Sequence, residues 1–378
     1  MQESNNNKRR IIVCLDGTWD SPSAQTNIDL FHQAIETSQQ SKDGYTQYAA
    51  YFDGVGTKSF YILGGMFGVG ISQQIKDAYT YLCNHYQDKN DEIWCIGFSR
   101  GAYAVRSLCG MIYNVGLLPA QSSKMQIEEA YQIYRSRAEE TNPGKRLSQK
   151  FRDDHGTKLP LIQFLGCFDT VGALGVPKLP WYLGGTLFYN LFQGMSGFHD
   201  TKIPPNLCNA YHALSIHDQR AWFQPTMMEC ATSSNTTKDQ KVHQVWFPGM
   251  HSDVGGGGDG NNDNSNKSGD PIRNNLLLPS HSLGWMMSMA QKHGLAFKPE
   301  ANGLLLPSKE GRFVYQDSYK NLLIYQLEAR KDRVIPPLES GVYTPKQIYR
   351  DNDLLSYMTQ QQLDLYLSRT LIQFNKQV

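Results

Sequence analysis

Ile93-Trp94-Cys95-Ile96-Gly97-Phe98-Ser99-Arg100-Gly101-Ala102-Tyr103-Ala104-Val105-Arg106-Ser107-Leu108 decides how the rest of the chain is read. A short apolar run meets Gly-x-Ser-x-Gly, and a small-residue helical sequence follows at once. That order predicts a strand, a sharp turn and a helix, with Ser99 on the turn and glycines where strand and helix nearly touch. In such an elbow the serine backbone is strained. Its hydroxyl sits at the N-terminus of the new helix, where backbone N–H groups and the helix dipole favour the negative charge of acyl transfer. The pentapeptide alone is a weak signal; its flanks give it weight. The plainer reading is a tight turn with a solvated serine.

Outward from the elbow, strand and helix patterns alternate. Ile11 to Leu15 reads as a buried strand ending in Asp16-Gly17-Thr18. Ile28 to Ser38 follows as a helix, Tyr48 to Phe52 as a strand, Ile71 to Tyr86 as a helix and Ile93 to Ile96 as the third strand. Beyond the elbow helix, from Ala102 to about Val115, come a polar helical stretch at Gln126 to Glu140 and a strand at Leu161 to Phe168. Asn209 to Leu214 reads as a helix or turn, and Lys241 to Phe247 as a strand. Helical patterns at Leu283 to His293 and Leu354 to Phe374 close the chain. This βαβ rhythm predicts an α/β-hydrolase-like fold, a mostly parallel central sheet with helices on both faces plus cap insertions. Residues 1–378 are expected to form one such domain, with a cap or lid over 173–206 and a mobile Gly, Asn, Asp and Ser loop over 255–274.

Composition limits the partners. With 36 basic and 35 acidic residues the formal charge is +1, so neither a basic stripe for nucleic acid nor an acidic tail is present. The 40% hydrophobic content suffices for a sizeable core. Seven cysteines, four of them (Cys14, Cys95, Cys109 and Cys167) in apolar runs, read as reduced buried thiols. The N-terminal segment has too short an apolar run for a signal peptide, and Tyr61 to Ile71 and Trp181 to Phe192 fall short of the roughly 20 residues of a spanning helix. A cytoplasmic protein without a transmembrane helix is the expectation.

A serine nucleophile needs a base and an orienting carboxylate, which in α/β hydrolases follow it in the order Ser, Asp, His. Asp169 ends the strand Leu161 to Phe168 and is followed by Thr170-Val171-Gly172, and strand C-termini are where open α/β sheets hold ligands. Asp153, Asp154, Asp200 and Asp218 lack that placement and read as solvated charges or helix caps. His251 likewise follows a strand and a Pro248-Gly249 turn, whereas His155, His199, His243 and His281 do not sit after a strand end. Asp253 is a second candidate orienter, or a residue that fixes the loop. For the oxyanion, the backbone N–H groups of Gly17, Thr18 and Arg100 are the candidate donors, with Asp16 supporting the turn or merely bonding its own backbone.

Three other patterns fail. In Gly54-Val55-Gly56-Thr57-Lys58-Ser59 a threonine separates glycine from lysine, so it is not a phosphate loop. Gly255, Gly257 and Gly260 have dinucleotide-loop spacing, but Asn261-Asn262-Asp263-Asn264-Ser265 follows where a helix is required. No Cys or His pairs have metal-ligand spacing, and the Asp and Asn residues after Gly258 lack an EF-hand register. Neither a metal nor a cofactor is expected.

Six blocks in order carry a resemblance: Ile12 to Trp19, Thr26-Asn27, Tyr51 to Thr57, Gly97 to Ala102, Phe168 to Gly172 and Pro248 to Gly257. Together with Ala213 to Arg220 and Phe223-Gln224-Pro225, and more weakly Trp285-Met286 and Tyr343-Thr344-Pro345, the chain resembles the type VI secretion lipase-effector family and its α/β-hydrolase relatives. That resemblance implies a serine hydrolase of phospholipase A type with its triad on Ser99, Asp169 and His251. It also implies export through a type VI system, with an immunity protein or a component of the secretion apparatus as partner. Two positions depart from the family pattern, His217 where an acidic residue is usual and Ser280 where aspartate often precedes the Trp-Met helix. The family's long effectors also carry C-terminal membrane domains, which a chain of this length is expected to lack, and that leaves toxin status open.

Ala173 to Phe198 bears on substrate, since its Leu, Tyr and Phe follow the expected acid where hydrolases insert caps. An apolar lid suits acyl chains or transient contact with a membrane surface; ordinary core packing is the alternative. Three functions therefore stand: a phospholipase or lipase cleaving glycerophospholipid esters, an esterase for small soluble esters, and a protein-binding scaffold without turnover.

Overall fold

Strand Ile11 to Leu15 shows why the sheet has a layer on each side. Its residues are all buried, and alternate ones face opposite cores: Ile11, Val13 and Leu15 lie in one cluster, Ile12 and Cys14 in the other. A strand buried on both faces reads as continuous apolar sequence, the mark of a covered parallel sheet. The computed structural model describes residues 8–17, 25–54, 66–171, 202–220, 223–231, 240–247, 249–257, 277–305, 330–331, 333 and 342–343.

Seven strands form one sheet: β1 (Arg9–Leu15), β2 (Thr46–Phe52), β3 (Glu92–Phe98), β4 (Ile162–Phe168), β5 (Leu207–Ser215), β6 (Lys241–Phe247) and the two-residue β7 (Val342–Tyr343). Their order is β2-β1-β3-β4-β5-β6-β7, and every pairing is parallel. The chain therefore reverses direction of sheet growth between β1 and β3. Open α/β sheets bind ligands at such a switch point, beyond the strand C-termini.

Helices α2 (Met66–His85) and α3 (Arg100–Val115) pack on the face of Ile11 and Val13. Helix α1 (Asn27–Ala34) covers the other face, on which the residues of Leu277–Lys292 also pack. The polar region after α3 holds α4 (Lys124–Arg135) and α5 (Arg146–His155). Serine caps α4: Ser123 Oγ accepts the Gln126 N–H while Gln126 Oε1 accepts the Ser123 N–H.

Two expectations are corrected. Leu207–Ser215 is a central strand rather than a helix or turn around 209–214. Its polar residues disguised it, yet each is satisfied sideways: Asn209 Nδ2 donates to Gln163 O (3.0 Å), and His212 Nε2 accepts the Thr170 N–H (3.0 Å). The second concerns the loop expected from residue 255. Gly255 closes the short helix α6 (His251–Gly255), and Gly256 bridges Thr26. A Cβ on Gly255 would lie 1.9 Å from the Phe98 ring, so the close approach needs glycine. The remainder of that loop, 258–274, and the expected cap over 173–201 lie outside the described residues, as does the helix expected at 354–374. Among the described residues no helix is long and apolar enough to cross a membrane.

Candidate active site

β3 delivers Ser99 and α3 begins on it. The backbone at Ser99 has φ 57° and ψ −119°, a region that side-chain-bearing residues avoid, and its N–H is fixed by Phe168 O at 2.9 Å. A Cβ on Gly97 would meet Gly101 O at 2.5 Å, and one on Gly101 would meet Leu15 O at 2.2 Å. Both glycines of the pentapeptide are thus demanded by the crossing of α3 over β1 and β3.

The other two candidates arrive from neighbouring strand ends. Asp169 follows β4, is fully buried and also has a positive φ, 41°. Its N–H donates to Ala213 O (2.7 Å) on β5, which turns the side chain over the sheet edge. His251 starts α6 after β6. Its Nε2 lies 2.7 Å from Ser99 Oγ and its Nδ1 lies 2.6 Å from Asp169 Oδ2. With Nδ1–H donated to the carboxylate, Nε2 is left as acceptor for the serine proton. Phe98 and Phe223 flank the imidazole, with ring centroids 4.7 and 5.0 Å away, so it has little room to rotate.

Electrostatics fit a neutral base beside an ionised acid. Burial lowers the His251 pKa from its ordinary value, partly opposed by the hydrogen bond and charge of Asp169. For Asp169, burial works to raise the pKa. The charge of Arg333 and the bond to His251 overcome it and hold the carboxyl well below the usual carboxylate range.

The supporting residues divide. Asp253, a candidate orienter, does not reach the imidazole; its Oδ2 accepts the Met250 N–H (2.8 Å), and burial pushes its pKa up to about 7. It fixes the turn. Asp218, expected as a solvated charge, is fully buried in a two-pronged pair with Arg220 and accepts the His251 backbone N–H at 3.2 Å. Its Asp-x-Arg spacing was the available signal. His217 Nδ1 accepts the Gly249 N–H (2.9 Å), pinning the turn before His251.

Asp16 is buried beneath the loop after β1, where Oδ2 accepts the hydroxyls of Thr26 and Tyr51 (2.6 Å for the latter). Its Oδ1 accepts the Gly17 N–H at 2.7 Å. That is the turn bond to its own backbone that the sequence allowed for Asp16 beside an oxyanion role for Gly17. Thr18 lies outside the described residues. Arg100 occupies the first turn of α3, at the positive end of the helix dipole.

Sequence reading missed Arg333. This fully buried guanidinium grips Asp169 with both prongs, Nη1 to Oδ1 at 2.6 Å and Nη2 to Oδ2 at 2.9 Å. No motif surrounds it, so only tertiary contact identifies it.

The profile of the family described as "T6SS, Phospholipase effector Tle1-like, catalytic domain" matches residues 9–289. A Saccharomyces cerevisiae relative, uncharacterized protein YEL023C, is 29% identical over 192 residues, which is 44% of this chain and 27% of that protein. Two solved structures are similar. An uncharacterized protein from Pseudomonas aeruginosa has TM-score 0.45 and 17% identity, over 86% of this chain and 51% of that one. The Tle1 effector bound to the VgrG spike of the type VI secretion system has TM-score 0.43 and 14% identity, over 80% and 77%. The chain thus spans about a quarter of the curated relative and half of the first solved structure.

Proposed function

Because the chain belongs to the family of type VI secretion phospholipase effectors with a Tle1-like catalytic domain, we propose that it is a serine hydrolase that cleaves glycerophospholipid esters through an acyl-enzyme. One observation carries the reading: the continuous chain from Ser99 Oγ to His251 Nε2 and from His251 Nδ1 to Asp169, anchored on a strained elbow. Ser99 Oγ attacks the ester carbonyl carbon while its proton passes to His251 Nε2. The imidazolium formed is balanced by Asp169. The tetrahedral oxyanion faces the first turn of α3, where the Arg100 N–H is the donor next to the nucleophile. His251 then returns the proton to the departing alcohol. Water, deprotonated by the same nitrogen, releases the fatty acid and restores Ser99.

Family membership supports a phospholipid substrate and delivery through a type VI apparatus; transient membrane contact, and a component of the secretion apparatus or an immunity protein as partner, belong to the same proposal. Residues 173–206, as the cap, are the part of this single-domain reading that would meet acyl chains. The test is fluorophosphonate labelling together with fatty-acid release from phosphatidylglycerol vesicles and from a short soluble ester. Wild type should be labelled and cleave vesicles. Ser99→Ala should do neither, losing on the order of 10⁴-fold or more in turnover. Cleavage of the soluble ester alone would move the substrate class to small esters, and a wild type that is neither labelled nor active would point to a scaffold.

A further inference from the structure

The catalytic-domain match ends at residue 289, yet the group in closest two-point contact with the candidate acid comes from residue 333. We propose that Arg333 is a positioning residue of this site, so that the working hydrolase includes the segment around 330–333 as a structural part of its triad. The inference rests on the serine hydrolase reading above.

Its geometry is that of a built clamp. Arg333 Nη1 also donates to Ser215 O (2.6 Å), and Nη2 donates to Phe223 O, so the guanidinium is locked to the end of β5 and to the loop whose Phe223 ring flanks His251. Ser215 N–H in turn donates to Asp169 Oδ1 at 2.9 Å. The segment itself is fastened at two further points: the Lys331 N–H donates to Gln219 O (2.9 Å), and Gln224 Nε2 donates to Lys331 O (3.3 Å). A planar guanidinium with two parallel N–H bonds sets the plane of the carboxylate, and Asp169 Oδ2 is thereby aimed at His251 Nδ1.

Charge gives the clamp a second effect. Asp169 with Arg333 is a neutral pair, so protonating His251 adds a net positive charge to a buried site. Without Arg333 the same protonation would neutralise an isolated buried carboxylate and become easier. Other charged groups facing His251 are Asp218 and Arg220, from the loop after β5, and Asp253 on its own helix. The first two form their own bidentate pair, and Asp253 bonds the Met250 N–H. Arg333 therefore keeps the base unprotonated to lower pH.

The experiment measures fluorophosphonate labelling of Ser99 against pH in the full chain for wild type, Arg333→Met and Arg333→Lys. Arg333→Met should move the midpoint of the labelling profile up by about one pH unit, as loss of a neighbouring opposite charge on the acid requires. Arg333→Lys retains the charge but loses the two-point grip; it should keep the wild-type midpoint and label about tenfold more slowly. A purely structural role would lower melting temperature without moving the midpoint. An Arg333→Met midpoint unchanged from wild type overturns the inference. If that variant does not fold, Arg333→Lys decides: slowed labelling at an unchanged midpoint supports the clamp, and a wild-type rate or a shifted midpoint overturns it. Absence of labelling in the wild type sinks the hydrolase reading, and this inference with it; labelling with unmoved midpoints sinks only this one.

Discussion

Ser99 carries a backbone penalty that can be separated from its chemistry by comparing Ser99→Ala with Ser99→Gly. Both variants lose the hydroxyl and its 2.7 Å bond to His251, so that cost cancels between them. What differs is the backbone at φ 57°, ψ −119°, where a residue with a Cβ is strained by about 1–3 kcal/mol and glycine is not. Glycine gives back about 0.5–1 kcal/mol through the greater freedom of the unfolded chain. The glycine variant should therefore be the more stable by about 1 kcal/mol, or about 2 °C in melting temperature for a domain this large. Urea titration followed by tryptophan fluorescence reads the difference directly, and neither variant should label with fluorophosphonate. An alanine variant as stable as the glycine one would refute the strained-elbow argument, because no strain would then be relieved by removing Cβ.

Burial sets the His251 pKa below its ordinary value, so kcat/KM should rise with pH through a midpoint under about 6.5 and stay level above it. By the same linkage, the stability this group contributes is complete above the unfolded pKa and lost as the pH falls below it, which an acid melting series would show. Asp169→Asn should cut turnover about 10⁴-fold by imposing the wrong histidine tautomer, while Asp253→Asn should leave labelling near wild type; the opposite ranking, in a steady-state assay, would hand the orienting role to Asp253. Since the folded pKa of Asp253 is raised to about 7, its ionisation weakens the fold as pH rises from its unfolded value to that point, and Asp253→Asn should remove this slope from melting temperature against pH. Gly255→Ala places a Cβ 1.9 Å from the Phe98 ring that flanks His251, so it should lower both labelling rate and melting temperature; an unchanged labelling rate would show that the ring is free to move aside.

The sequence alone determined the α/β class, the elbow and the places where Ser99, Asp169 and His251 stand, because each of these signals is local. A doubly covered parallel sheet writes itself as short continuous apolar runs, and a strand end followed by Gly, Pro or Asp is visible wherever it occurs. β5 escaped because its Asn209 and His212 look like turn residues until neighbours on and just after β4, and on β6, supply their hydrogen bonds. Tertiary structure decided the electrostatics. Whether a carboxylate is solvated, paired or left to titrate depends on how deeply the fold buries it: Asp218 proved fully buried against Arg220, and Asp253 is buried and turned to its own loop. Arg333 stands 164 positions from the carboxylate it grips. No periodicity or spacing links two residues so separated, since only the folded sheet brings the end of β4 and the 330–333 segment to one point.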